Sequence, residues 1–220
     1  MKVEVALDIS KKETAREYGA KLLFALLTLA FLWSSGGGDP VLFWARQPGL
    51  TLLVGSGVLL WARYLAPTTW TQLTAKPSQD EVLFALKWGS AWALLMGGLL
   101  TIGVLLVPTT PWVSWDFLEA STISRGLLGF SFLLVTSYFL EFFLRGYLSE
   151  SWGRGSVAFL EAVTIGVGLQ SGLPFVMLLP MIFVWHRIAI RRGTRSAALT
   201  RVVWTLEVCV IAALLASRSA

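Results

Sequence analysis

Residues 138–148 read Tyr138-Phe139-Leu140-Glu141-Phe142-Phe143-Leu144-Arg145-Gly146-Tyr147-Leu148. A carboxylate and a guanidinium stand one helical turn apart, near the end of a long apolar run. The acid precedes the base by four residues, the favourable order for a pair on one helix. Charges inside an apolar segment are costly, and in a membrane chain they mark a functional site by default. How this stretch is read therefore turns on whether the chain lies in a bilayer.

Its surroundings favour a bilayer. The chain is 55% hydrophobic and 14% charged, with a mean hydropathy of +0.69. An ordinary soluble domain carries about 25% charged residues. Apolar runs at 20–34, 49–66, 83–107, 126–147, 156–171, 173–189 and 197–216 reach or approach the roughly 20 residues that span a bilayer. Only helices close their backbone hydrogen bonds within such runs. The expected fold is all-α, a polytopic membrane bundle of about seven transmembrane helices. Soluble binding modules and nucleic-acid readers are excluded, and the net charge of +5 reads as loop asymmetry.

Breakers separate the runs: Ser34-Ser-Gly-Gly-Gly-Asp-Pro40, Ala66-Pro67, Pro108-Thr-Thr-Pro111 and Ser151-Trp-Gly-Arg-Gly155. Ser10-Lys-Lys-Glu13 fits a capping box, which predicts a helix start near Lys11. Residues 41–48 look interfacial, so 41–66 reads either as one span or as a re-entrant segment plus a span. Residues 67–82 read as a polar loop. The loop with Trp112, Trp115, Asp116 and Glu119 suits a membrane–water interface.

With the N-terminus inside, only Arg46, Arg125 and Arg218 of the 18 Lys and Arg residues fall on the non-cytoplasmic side. That asymmetry predicts a cytoplasmic segment at 1–20, then one transmembrane domain at 21–216. The first span acts as an uncleaved anchor, because the apolar run follows a charged stretch. The lipid bilayer is the first partner.

Glu141 and Arg145 read either as a water-activating carboxylate oriented by arginine or as a self-neutralising pair that packs helices. Glu161 reads either as a second carboxylate facing the same cavity or as an interfacial residue pairing with Arg154 or Arg187. His186, at a helix end, reads as interfacial, and with one histidine no Ser-His-Asp set is expected. Cys209 has no partner for a disulfide. No metal set and no cofactor are expected: zinc alone needs three or four protein donors, and no glycine pair precedes Lys-Ser/Thr. Gly55-Ser-Gly57 and Gly97-Gly98 are expected to permit close helix contact.

From residue 126 onward the order of features resembles the CPBP family, the CAAX-protease and bacteriocin-processing (ABI) intramembrane proteases. Members carry Glu-Glu-x-x-x-Arg-Gly, then Phe-x-x-x-His, then His-x-x-x-Asn/Asp on successive helices. Arg145-Gly146 and Glu141 match the end of the first motif, while Leu140 stands at its first glutamate. The second motif falls on Ile165-Gly-Val-Gly-Leu169, with leucine in place of histidine. The last falls near Val202 and Leu206. The helix and basic turn from Leu178 to Thr194 resemble the family's helix before that motif.

The resemblance implies a multi-pass protein of the bacterial inner (plasma) membrane. It implies a divergent peptidase homologue with Glu141 and Arg145 as its catalytic residues, beside which Glu161, read from the residues alone, stands as a further catalytic candidate. With the first glutamate and both histidines absent, two versions stay open: an altered endopeptidase, or a non-catalytic protein that binds the C-terminal tail or membrane segment of another protein. The alternative without peptidase ancestry is a structural or assembly subunit of a membrane complex.

Overall fold

The computed structural model describes residues 2–34, 40–106, 123–168 and 172–219. Their regular structure is helical throughout: α1 (Lys2–Ser34), α2 (Pro40–Leu65), α3 (Pro67–Thr74), α4 (Gln79–Leu106), α5 (Ile123–Phe143), a π-helical segment (Leu144–Leu148), α6 (Ser149–Trp152), α7 (Arg154–Gly168), α8 (Gly172–Arg192) and α9 (Thr194–Ser219). Among the described residues, each of the seven apolar runs lies on a long helix, the run at 49–66 leaving α2 after Leu65 and the run at 126–147 passing from α5 into the π segment. Among the described residues, Ala45–Leu65 and Gln79–Leu99 are long and apolar enough to cross a membrane. The loop carrying Trp112 to Glu119, and Leu169, lie outside the described residues.

Several boundaries differ from the sequence expectation, each for a local reason. The box at Ser10–Glu13 does not start a helix, because α1 runs through it from Lys2. No proline or glycine precedes Gly19 to stop it. Residues 41–66 hold no re-entrant break: α2 is continuous, with Pro40 in its first turn and Pro48 inside it. A proline is tolerated at a helix start, where its missing N–H bonds nothing. The loop at 67–82 contains α3, started by Pro67. The working capping box lies just beyond, where Ser78 N–H donates to Glu81 Oε2 (2.8 Å) and Glu81 N–H to Ser78 Oγ (3.2 Å). Arg195 ties the start of α9 to this turn by donating to the carbonyls of Gln72 (2.6 Å) and Lys76 (3.3 Å).

The helices pack in two groups that meet at α5 and α9. One core joins α1 and α2 to Phe143, Leu144, Tyr147 and Leu148. The other joins Ala93 and Met96 of α4 to Ala158, Ala162, Ile182, Trp185 and Trp204. Leu22, Leu26 and Leu29 of α1 and Leu94, Leu95, Leu99 and Ile102 of α4 face outward.

Small residues set the spacing, as expected for Gly57 and Gly97. A Cβ on Gly57 would lie 2.8 Å from Leu23, and one on Gly97 2.7 Å from Ile211 Cδ1. The least yielding seam is elsewhere, at Gly89, where a Cβ would meet Val203 Cβ at 2.7 Å and the Thr200 carbonyl oxygen at 3.1 Å. Backbone and a β-branched stem cannot swing away. Gly89→Ala is therefore expected to cost about 1–3 kcal/mol in thermal unfolding. Gly98→Ala, with nothing within 4 Å, should be neutral or gain up to about 1 kcal/mol from helix propensity. Equal effects of the two would refute the packing account.

Candidate functional site: a buried charge quartet beside a cavity

The π-helical segment at Leu144–Leu148 widens α5 at Arg145. Single π turns inside α-helices occur frequently at functional sites. Ser149 Oγ donates to the Leu144 carbonyl (2.6 Å), which closes the widened turn. The motif glycine is not forced by crowding, since a Cβ on Gly146 would make only ordinary contacts with Thr194 and Thr69.

Glu141 is fully buried, and its carboxylate faces two arginines. Arg145 Nη1 lies 3.3 Å from Glu141 Oε1, the expected pair on one helix. The second arginine, Arg201 of α9, was not anticipated. Its Nη1 donates to both Glu141 Oε1 (2.6 Å) and Glu161 Oε1 (2.7 Å). Arg145 Nη2 completes the ring, 2.7 Å from Glu161 Oε2. Arg145 approaches both carboxylates without an N–H aimed well enough to form a hydrogen bond, and Glu141 Oε2 has no donor. The quartet joins α5, the π segment, α7 and α9, with two charges of each sign.

Trp185 of α8 is the surface on which the guanidiniums lie. Its ring centroid is 4.7 Å from Arg201 Cζ and 5.9 Å from Arg145 Cζ, within cation–π range. Trp204 meets the same ring edge-on at 5.2 Å.

The structure thus brings Glu141, Arg145 and Glu161 together, and it corrects the interfacial pairing considered for Glu161. Its partners are Arg145 and Arg201, not Arg154 or Arg187. His186 is also buried, not interfacial. Its Nδ1 lies 3.3 Å from Ser149 Oγ, whose own hydrogen points at the Leu144 carbonyl. A serine so engaged is a helix-closing group, not a nucleophile. Among the described residues, no three His, Cys, Asp or Glu side chains converge as a metal set. Arg201 had a legible signal: Ala197, Ala198, Arg201, Trp204 and Thr205 are all buried and follow the three- and four-residue spacing of one helical stripe.

A cavity of about 350 Å³ opens beside the quartet, between α1, α2, α5 and α9. Glu161, Arg201 and Trp185 line one end. Phe31, Leu133 and Cys209 line it farther along, and Ser137, Thr164 and Thr205 add hydroxyls to mostly apolar walls. Glu141 and Arg145 sit behind this lining. A general base needs a free lone pair within reach of the proton it takes. Glu141 Oε1 is taken up by two guanidiniums, and its unpartnered Oε2 is buried and does not belong to the cavity lining. The chain matches no family model, no curated protein and no solved structure.

Proposed function

We propose that this is a multi-pass inner-membrane protein that binds a hydrophobic ligand from the bilayer without cleaving it. In this reading seven helices span the membrane with the N-terminus in the cytoplasm. The outward leucines of α1 and α4 then meet lipid, where an apolar face carries no aggregation hazard of the kind it has in water. The resemblance to CPBP proteins stands as the proposed ancestry, with the motif glutamate and arginine kept as supports for the cavity.

The observation that carries the reading is the placement of Glu141. It is buried behind Glu161 and Arg201 and paired with two guanidiniums, while the cavity beside it is open and mostly apolar. Binding needs only that cavity, whereas peptide hydrolysis needs an activated water at the carboxylate. A photo-crosslinker at Leu140 or Thr164, both on the cavity wall, should trap a membrane ligand, and one at the outward Leu94 should give only bulk-lipid background. A co-expressed, C-terminally tailed membrane protein should stay uncleaved. Cleavage that vanishes in a normally accumulating Glu141→Gln variant would establish the peptidase instead.

A further inference from the structure

We infer that the cavity holds a single acyl chain of a lipid, with its ester group against Arg201. This rests on the binding reading above and names the ligand class. Dimensions come first. From Arg201 to Cys209 along α9, and from Leu133 to Leu144 along α5, the lining runs about 12–16 Å at 1.5 Å per residue. A volume of about 350 Å³ open to the centre of a water-sized sphere, spread over that length, is a channel about 8–9 Å between its walls once the sphere's radius of about 1.4 Å is added. A helix with side chains is about 10–12 Å wide. A transmembrane helix of another protein is therefore too thick to enter.

An extended polypeptide is thin enough but chemically unsuited. Its N–H and C=O groups need partners. Of the wall hydroxyls, Thr164 already donates to the Leu160 carbonyl and Thr136 is paired with Thr51, and Thr28, Ser137 and Thr205 are too few for the roughly eight N–H and C=O groups that about four extended residues would bring. A hydrocarbon chain makes no such demand. The length corresponds to roughly 10–14 bonds at 3.3–3.6 Å per three bonds.

Charge selects the head group. The two arginines are already matched by two glutamates, so a ligand carboxylate or phosphate would add an unpaired buried charge. Arg201 bonds both glutamates through Nη1 alone and has further N–H donors. A neutral acceptor, the ester carbonyl of an acylglycerol, fits there.

The test uses the full chain in detergent micelles and a monoacylglycerol carrying a dodecanoyl chain brominated at mid-length. Bromine quenches tryptophan on contact, and Trp185 and Trp204 line the cavity. Saturable quenching is expected, largely lost in Trp185→Phe/Trp204→Phe and in the cavity-filling Thr205→Phe. If Thr205→Phe fails to fold, competition on the wild type decides: the unbrominated dodecanoyl ester should compete several-fold better than its octanoyl or octadecanoyl counterparts and than dodecanoate. Non-saturable quenching, quenching unchanged in the double variant, or preference for the free acid would overturn the assignment. If the ester fails while the crosslinker at Leu140 traps a polypeptide, the acyl chain falls and the binding reading stands. If the crosslinker traps nothing above background, both fall.

Discussion

Replacing Arg201 by glutamine is expected to destabilise the protein by about 3–5 kcal/mol, the cost of breaking a buried ion pair by removing one partner. Arg201 Nη1 is the nearest donor to both Glu141 Oε1 (2.6 Å) and Glu161 Oε1 (2.7 Å). Without it, two buried carboxylates share Arg145 alone. The loss should appear as a lower midpoint of thermal unfolding after purification and as reduced accumulation in the membrane. Adding Glu141→Gln restores neutrality and leaves Arg145 facing Glu161 at 2.7 Å. The double variant should therefore recover part of the loss, with a coupling of about 1–3 kcal/mol. Losses that simply add would mean that the four charges do not act as a unit.

Trp185→Ala is expected to cost a comparable amount, about 3–5 kcal/mol for truncating a buried tryptophan. The ring is 1% exposed and has Arg201 and Arg145 within cation–π distance and Trp204 at its edge. Its indole N–H has no hydrogen-bond partner, so the ring acts through its faces and its bulk. Trp185→Phe keeps an aromatic face and should lose about half as much or less. Equal unfolding midpoints for the two variants would rule out the aromatic contribution. The alanine variant also enlarges the cavity, so shorter and thicker ligands should discriminate less sharply against each other.

Helix content and the main breaks were legible because long apolar runs and clustered Gly and Pro leave few alternatives. The start of α1 was not, because the Ser10–Glu13 spacing satisfies a capping rule while nothing before it stops the helix. The re-entrant alternative for 41–66 fails in the opposite direction: the interfacial look of 41–48 suggests a separate segment, yet α2 runs on through it and through Pro48. At the site, Glu141 and Arg145 were readable because their pairing is local. Glu161 was readable only as a candidate, since its partners lie 16 and 40 residues away. Charge counting makes Arg201 one more basic residue at a cytoplasmic helix end, because it ignores which side of a helix a residue occupies. The small and aromatic neighbours on its stripe were the available correction.

The balance of the quartet has an electrical consequence. Moving one elementary charge across a membrane potential of 100 mV involves about 2.3 kcal/mol. Two glutamates and two arginines held within 2.6–3.3 Å of one another carry no net charge, so shifting them together does almost no work against that field. In a polarised membrane, a rocking of α5 and α9 that carries the quartet as a block would be indifferent to voltage, whereas separating Arg201 from the glutamates would not.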